Sequence, residues 1–487
     1  MKYIKLIVLS FTLSLATGCG SSGGGGTPAA DPQDPPVAGI GRTGVARGPI
    51  STFGSVVVNG VRYDTSTATF TINGGTGSQD DLSVGQVITV SGTIDDNGID
   101  GNADEVNFDD NVKGPIQSID LGTSQIVVLG QTVLINPETS FDDNINPASI
   151  DGLSVDDIVE VSGLVDASGR ITATRIESKP VGTEFEVLGV VSAHDSTNFL
   201  FNINDLVVAY SGATLDNFSG GQINDGDFVE AKGLALNGNG QLVATRVELK
   251  GGLPGVADGV HIEIQGFITR FTSATDFDVA GLPVTTTTGT VYEGGVVGDL
   301  GLNIKVEVEG DVDANGVLVA TKVDIRRAKA VRTTANVDSV NASANSLVML
   351  GITVSVDTLT RLEDKSDADV RPLTLANINA GDYVEVRGSE FPAGSGAILA
   401  TILERDDADP DTILQGFVET TSDPSFTVLG VTINTGVGTI FRDIDDSVMS
   451  STDFFNQLAP NSLVKAKGTE VSDTVISAQE VEFELEF

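Results

Sequence analysis

The stretch VDDIVEVSG, residues 155–163, alternates apolar with polar side chains and ends on a glycine. Such alternation, with β-branched valine and isoleucine at the apolar positions, is typical of a strand with one buried face. A second alternating phrase, ATRIE at 173–177, follows after the turn residues DASG at 166–169. The two phrases and their turn together predict a β-hairpin.

The same hairpin returns along the whole chain. Its first phrase occurs six times, at intervals of 70 to 80 residues. The glycines that end it are Gly92, Gly163, Gly233, Gly310, Gly388 and Gly468. Upstream of each hairpin lie further short segments of the same kind, separated by Gly or Asp turns, so that each unit holds about five strands. A period of this length is too long for a solenoid repeat and indicates a small domain.

The predicted fold class is all-β, with six tandem units. Five antiparallel strands in about 70 residues suit a small barrel of the oligonucleotide-binding-fold type, because closure leaves no exposed sheet edge. A small two-sheet sandwich fits the same pattern, and the sequence does not separate the two. Almost no linker residues remain between units, so we expect neighbouring units to pack on one another in an elongated array. Units 1 to 6 are residues 46–112, 113–180, 181–250, 251–329, 330–407 and 408–487.

The N-terminal region differs from the repeats. Residues 1–18 have a basic start and a short apolar run, as a secretory signal peptide does. They precede Cys19, the only cysteine of the chain, and resemble the lipobox of bacterial lipoproteins, except that Ala16 stands where that family usually has leucine. The resemblance implies that Cys19 is acylated and anchors the chain to a membrane by its lipid. An ordinary cleaved signal peptide with an incidental cysteine is the alternative.

The segment after the cysteine predicts a tether and a location. Residues 19–45 are rich in Gly and Pro and show no apolar period, which indicates a disordered linker. By the same lipoprotein resemblance, Gly20 in place of Asp favours the outer membrane of a bacterial cell envelope. Whether the chain faces the periplasm or the medium stays open. The formal net charge of −41 excludes nucleic acid as a partner.

Two stretches of unit 1 carry a resemblance to a known family. FGSVVVNGVRYDTSTATFTING at 53–74 and DLSVGQVITVSG at 81–92 resemble the domain-of-unknown-function family 5666. That family occurs in bacterial secreted proteins and lipoproteins, often in tandem. The resemblance implies a β fold and export, and it implies no catalytic residue or cofactor.

Residues suited to catalysis are few. His194 and His261 are the two histidines. We expect His194 in a solvated turn and His261 on the exposed side of a strand. No motif for an activated nucleophile is present, which predicts a protein that is not an enzyme. The 68 acidic residues could supply a glycosidase pair, although none stands in a distinctive motif.

The clearest candidate for metal binding is the stretch IDDNGIDGNADEVNF at 94–108. Several oxygen-bearing side chains on one glycine-containing turn suit calcium. The candidate ligands are Asp95, Asp96, Asn97, Asp100, Asn102, Asp104 and Glu105. Their spacing is not that of an EF-hand, and an elongated hairpin turn is the favoured alternative explanation. A second acidic cluster, ERDDADPDT at 404–412, lies between units 5 and 6, where a cation could join neighbours.

These patterns favour a lipid-anchored cell-envelope protein that acts as a non-catalytic scaffold or binding array. The expected partner is an unidentified envelope protein or glycan. One alternative is an envelope carbohydrate-active enzyme or accessory module. Another is an adhesin-like stalk stiffened by calcium, the only cofactor that the sequence suggests.

Overall fold

The strands of the protein follow the repeated phrases. The computed structural model describes residues 42–52, 55–95, 98–253, 256–325, 331–392, 394–444 and 447–484. Unit 1 contains β1 (Arg42–Thr52), β2 (Val56–Val58), β3 (Val61–Asp64), β4 (Thr69–Ile72), β5 (Gly75–Gly77), β6 (Val87–Ile94) and β7 (Asp100–Phe108). Unit 2 contains β8 (Val112–Asp120), β9 (Gln125–Val128), β10 (Gln131–Leu134), β11 (Ser140–Phe141), β12 (Ile158–Val165) and β13 (Ile171–Ser178).

Units 3 and 4 repeat this order. Unit 3 contains β14 (Phe185–Asp195), β15 (Leu200–Ile203), β16 (Leu206–Ala209), β17 (Thr214–Asp216), β18 (Phe228–Leu236) and β19 (Leu242–Leu249). Unit 4 contains β20 (His261–Ser273), β21 (Asp276–Val279), β22 (Leu282–Glu293), β23 (Lys305–Val312) and β24 (Leu318–Ile325).

Units 5 and 6 complete the set, and unit 6 adds a short helix. Unit 5 contains β25 (Val331–Asn341), β26 (Ser346–Met349), β27 (Ile352–Ser355), β28 (Arg361–Asp364), β29 (Tyr383–Glu390) and β30 (Ile398–Asp406). Unit 6 contains β31 (Thr412–Ser422), β32 (Ser425–Val428), β33 (Val431–Asn434), β34 (Ile440–Arg442), β35 (Val448–Met449), α1 (Ser451–Gln457), β36 (Leu463–Ser472) and β37 (Val475–Phe483). Single 3-10 turns span Gln79–Asp81, Leu121–Thr123, Ile150–Gly152, Val297–Asp299, Ala342–Ala344 and Leu375–Asn377.

Strand pairing closes each unit into a ring. In unit 1, β1 pairs antiparallel with β2, and β2 pairs antiparallel with β3. β3 then pairs parallel with β7, whose antiparallel partner β6 returns to β1. The corresponding five pairings recur in units 2 to 6. The units are therefore small five-stranded barrels, which decides between the barrel and the sandwich.

The glycine that ends each first phrase has a steric role. In the hairpin β12–β13, Gly163 lies opposite Ala173 at a β-bulge, and the same glycine–alanine pair recurs at the bulge of the other hairpins. A Cβ atom on any of these glycines would lie 2.0–2.4 Å from a carbonyl oxygen of the opposite strand. The bulge therefore admits no side chain, and this explains why the phrase always ends on glycine.

The order of the units in space differs from their order along the chain. Among the described residues the strands form three sheets, and each sheet joins two units. β8 pairs antiparallel with β14 and joins units 2 and 3, and β25 pairs antiparallel with β31 and joins units 5 and 6. Unit 1, however, pairs with unit 4, because β1 lies parallel to β20. Packing of chain neighbours, as expected from the sequence, thus accounts for two of these three junctions.

The joined units share their interiors. The buried apolar side chains of units 2 and 3 form one continuous cluster, and those of units 5 and 6 form another. Val45 of β1 packs in the core of unit 4. β1 begins at Arg42, inside the segment predicted as tether, because residues 42–45 pair with β6 and, from Gly44, with β20. The described residues between 42 and 484 belong to one compact unit.

The segment between the third and fourth ring strands varies most between units. It holds β4 and β5 in unit 1, a single strand in units 2, 3 and 5, and β34, β35 and α1 in unit 6. Among the described residues, no helix has the length and apolar character needed to cross a bilayer.

Candidate functional site

Several residues predicted to be functional lie outside the described part of the chain. Cys19 is one of them, together with the signal segment and residues 19–41 of the tether. Asp96 and Asn97 of the calcium candidate are also outside it. Lipid attachment at Cys19 therefore stays a prediction.

The described members of the calcium candidate lie on the hairpin β6–β7. The backbone N–H of Asp95 donates to the carbonyl of Asp100 at 2.8 Å, which closes the hairpin. The carboxylate of Asp100 accepts a hydrogen bond from Arg62 Nε at 2.8 Å. Asn102, Asp104 and Glu105 follow along β7. This part of the stretch is an elongated hairpin, and calcium binding by it stays a prediction.

The acidic cluster between units 5 and 6 is engaged by cationic side chains. Glu404 is buried and lies 3.3 Å from Lys365 Nζ and 3.4 Å from Arg387 Nη2. Asp411 lies 2.7 Å from Lys467 Nζ. These two carboxylates therefore stabilise the fold through ion pairs.

Polar side chains of the repeated phrase are buried where one unit covers another. The glutamate of the phrase is Glu160 in unit 2, Glu230 in unit 3 and Glu307 in unit 4, and each is 1–9% exposed. Alternation in the sequence predicts one buried face per strand, but here both faces are covered. The apolar face fills a barrel, and the polar face contacts another unit. The recurrence of glutamate at this position is the feature of the sequence that could have indicated a covered polar face.

Unit 2 is joined to several other units by these polar contacts. Lys113 lies 2.5 Å from Glu186 of unit 3, and Arg175 Nη1 lies 3.4 Å from Glu363 of unit 5. Two contacts reach unit 1: Gln86 Nε2 donates to Glu160 Oε1 at 3.5 Å, and Val87 N donates to Ser162 Oγ at 2.8 Å. Two others reach unit 4: Ala167 N donates to Asn303 Oδ1 at 2.9 Å, and Glu138 forms an ion pair with Lys305. Unit 2 is thus held from four sides.

Arg361 of unit 5 is buried in this junction. It is 4% exposed, and its guanidinium donates to the carbonyls of Thr174 and Glu138 in unit 2. Burial lowers the pKa of Arg361 to about 10, although neighbouring carboxylates oppose the shift. The side chain stays charged at neutral pH and ties units 2 and 5 together.

Two small cavities lie at the junctions of units. One of about 40 Å³ is bordered by Arg361, Glu138 and Lys305, with residues of unit 1. The other, of about 50 Å³, is bordered by Arg175 and Glu363. Small-molecule sites usually measure about 300 Å³ or more, so these cavities have room for water and not for a sugar ring.

The two histidines have environments that differ from those predicted. His194 lies at the end of β14 and is partly buried, with its Nε2 atom 2.6 Å from the hydroxyl of Tyr210. His261 begins β20 and is only 6% exposed, whereas an exposed strand position was expected. That prediction was wrong because β1 of unit 1 lies alongside β20, with Gly44 opposite His261.

His261 is surrounded by carboxylates. Its Nδ1 atom lies 2.9 Å from Asp311 Oδ1, and its Nε2 atom lies 3.5 Å from Glu309 Oε1 and 3.8 Å from Glu263 Oε1. Burial lowers the pKa of His261, but hydrogen bonding to Glu263, Glu309 and Asp311 outweighs it and raises the pKa to about 10. We call His261, Glu263, Glu309 and Asp311 the His261 cluster.

The His261 cluster could not be recognised in the sequence, because its members come from two segments about 50 residues apart. The register of β20 against β23 places His261 opposite Asp311 and Glu263 opposite Glu309. A second group of possible metal ligands, Asp338, Glu470 and Asp473, lies between units 5 and 6 and is more exposed.

Comparison with known proteins agrees with the repeat pattern. The family model of a domain of unknown function, DUF5666, matches the chain at residues 46–105, 113–177, 188–248, 265–324, 334–404 and 415–482. No curated protein matches the chain. The family matches cover most of the sequence, with one match in each unit, and they confirm the resemblance first noticed in unit 1. The chain therefore belongs to the DUF5666 family and carries its domain of unknown function in six copies.

Proposed function

We propose that the chain is a lipid-anchored protein of the bacterial cell envelope that acts as a non-catalytic binding scaffold. The anchor is the acylated Cys19, and the Gly- and Pro-rich segment after it carries the folded units away from the membrane. The partner is an envelope protein or glycan. Nucleic acid is disfavoured by the net charge of −41.

The observation that carries the scaffold role is the way in which the units are joined. Main-chain pairing joins units 1 and 4, units 2 and 3, and units 5 and 6. Buried ion pairs then tie unit 2 to its neighbours. Loops on different units are thereby held at fixed positions, so one partner can contact several units together. The variable segment before the fourth ring strand is the best candidate for specificity, since loops on a rigid scaffold commonly carry it.

Cell fractionation tests the anchor. Wild type and Ser21→Ala, a control beyond the lipobox-like residues, should be found in the membrane fraction with an acylated Cys19 by mass spectrometry. Cys19→Ala should be released into the soluble fraction, because a chain without acyl groups has no lipid anchor. Retention of Cys19→Ala in the membrane fraction would contradict the proposal.

A degradation assay tests the non-catalytic role against the carbohydrate-active alternative. The purified full-length chain is incubated with isolated envelope polysaccharides, and the chain-length distribution is measured. We expect the chain-length distribution to stay unchanged, whether or not the polysaccharides bind. Release of shorter saccharides, absent from a heat-denatured control, would favour the enzyme instead.

A further inference from the structure

We propose that His261, Glu263 and Glu309 form a binding site for a divalent transition metal of the zinc type, with Asp311 as a positioning residue. The site lies on the outer wall of the unit 4 barrel, beside the strand that unit 1 contributes to the junction. This inference does not depend on the lipid anchor or on the scaffold role.

The spacing of the donor atoms suits such an ion. One donor atom from each of the three residues lies within 4.8 Å of the other two. The imidazole Nε2 atom is 3.5 Å from Glu309 Oε1 and 3.8 Å from Glu263 Oε1. Zinc bonds of about 2.0–2.1 Å in a tetrahedral arrangement place the ligand atoms about 3.3 Å apart. Small side-chain rotations would bring the three donors to that separation.

The strand register places like charges together at this site. Glu263 lies directly opposite Glu309 in the β20–β23 ladder, and directly opposed like charges destabilise a sheet. At the equivalent position of unit 3 the ladder places a lysine opposite a glutamate, Lys232 opposite Glu186. A bound divalent cation would add at this position of unit 4 the kind of positive charge that lysine supplies in unit 3.

One nearby cation has another partner. The ammonium of Lys322 contributes a positive potential at Glu263, but it lies 2.9 Å from Glu293. Lys322 is also the register partner of Glu309 in the β23–β24 ladder, so its ammonium and the imidazole of His261 both offset the charge of the two glutamates.

Glu263 provides an independent observation that favours a cation at this site. The residue is 7% exposed, and its Oε2 atom is buried with no hydrogen-bond partner among the residues that the structure describes. The other oxygen of the same carboxylate faces the imidazole at 3.8 Å. A buried carboxylate oxygen without a partner is costly, and a cation held between His261 and the two glutamates would satisfy it.

Asp311 orients the imidazole of His261 in the way that zinc-binding histidines are usually oriented. Its carboxylate lies 2.9 Å from Nδ1 of His261, which leaves Nε2 facing the glutamates. A metal-bound histidine commonly donates its second ring N–H to a carboxylate in this way, and the contact fixes the ring and its tautomer. The side chains of Glu309 and Asp311 are 40% and 49% exposed, so the ion has a path from solvent.

The donor set also distinguishes between metals. Imidazole with carboxylates suits zinc and its first-row neighbours, whereas calcium prefers oxygen ligands alone. Three protein donors leave one tetrahedral position open, which water or a group from a partner would fill.

Titration calorimetry with Zn²⁺ tests the site on the full-length chain, purified without a histidine tag. We expect wild type and His194→Ala, which removes the other histidine, to bind one equivalent of zinc at the cluster with equal affinity. His261→Ala and Glu309→Gln should weaken this binding at least about ten-fold, because each removes a ligand. Asp311→Asn should weaken it about ten- to hundred-fold while the number of bound ions stays at one.

Glu309→Gln keeps the test decisive if His261→Ala does not fold, since Glu309 is partly exposed. Co²⁺ gives a second readout, because a four-coordinate cobalt site absorbs visible light intensely and the variants should lose that band. Absence of zinc binding by the wild type would overturn the proposal. Zinc binding that His261→Ala or Glu309→Gln leaves unchanged would overturn it equally, because the ion would then lie elsewhere.

Discussion

At the scale of single residues, the repeated glycine opposite an alanine is a sterically constrained position of each unit. The bulge brings a carbonyl of the neighbouring strand to the point that a side chain would occupy. A threonine hydroxyl adds a second recurring contact, for example from Thr360 to the carbonyl of Ala400 at 2.8 Å and from Thr439 to that of Ala478 at 2.7 Å. These contacts join the segment that follows the third ring strand to the fifth ring strand.

Gly388→Ala should therefore destabilise the protein. The new methyl group would lie 2.1 Å from the carbonyl oxygen of Leu399, and the two strands would have to separate locally. We expect a loss of about 2 kcal/mol or more in the free energy of unfolding, measured by chemical denaturation. Gly212→Ala is the matched control, since no atom of the described residues beyond its chain neighbours lies within 4 Å of the added Cβ. This substitution should change the stability by less than about 1 kcal/mol. Equal effects of both substitutions would contradict the steric explanation.

At the scale of elements, the five-stranded ring is constant and the segment before its fourth strand carries the variation. In unit 6 this segment forms α1, which begins after Ser450, whose hydroxyl accepts a hydrogen bond from the Asp453 N–H at 3.1 Å. Phe454 on the helix is fully buried, with its ring centroid 4.9 Å from that of Phe441 and 4.7 Å from that of Phe483. The helix thus packs its aromatic side chain against the core of the unit.

Phe454→Ala tests the contribution of this helix. Removal of a fully buried phenyl ring leaves a cavity and costs about 3–5 kcal/mol. Thr452→Ala, at an exposed position of the same helix, should stay within about 0.5 kcal/mol of wild type. Thermal unfolding followed by circular dichroism measures both. A Phe454→Ala variant as stable as the control would show that α1 is not part of the core.

At the scale of the whole molecule, buried ion pairs between units determine how stability responds to acid. Burial raises the pKa of Glu177, but Arg175 and Lys179 outweigh this effect and hold the pKa at about 2. Arg175 in turn contacts the carbonyl of Val84 in unit 1 and the carboxylate of Glu363 in unit 5. The charge of Glu177 therefore supports a contact between three units.

The free energy of unfolding should fall as the pH falls from about 4.5 to about 2. A carboxyl whose pKa is lower in the folded state stabilises the protein above its unfolded pKa, and this stabilisation disappears on protonation. Glu177 contributes at most about 3 kcal/mol, because folding lowers its pKa from about 4.5 to about 2. Denaturation of wild type and Glu177→Gln across this pH range isolates the contribution. Burial raises the pKa of other groups, such as Glu230. Their effect on the pH dependence of stability is the same in wild type and in Glu177→Gln, so it cancels in the comparison. Parallel stability curves for the two proteins would contradict the prediction.

Much of the fold of one unit could be predicted from local sequence. The alternation in VDDIVEVSG predicts that its apolar side chains are buried inside a barrel, and the glycines indicate the positions of turns and bulges. The candidate metal site could not be predicted in this way. His261 and Glu263 stand at alternate positions of one strand, and Glu309 and Asp311 stand at alternate positions of another. Only the register of the two strands brings the four side chains together.

The sequence by itself determined the all-β class, the six units and the strands within each unit, because these depend on short-range alternation and on turn residues. Tertiary structure decided that unit 1 pairs with unit 4, that polar faces such as that of Glu160 are covered, and that His261 is buried among carboxylates. The physical reason is that alternation separates an apolar from a polar face but does not specify what covers the polar one. Pairing between units uses main-chain groups, which every strand offers alike, so the choice of partner depends on the whole folded chain.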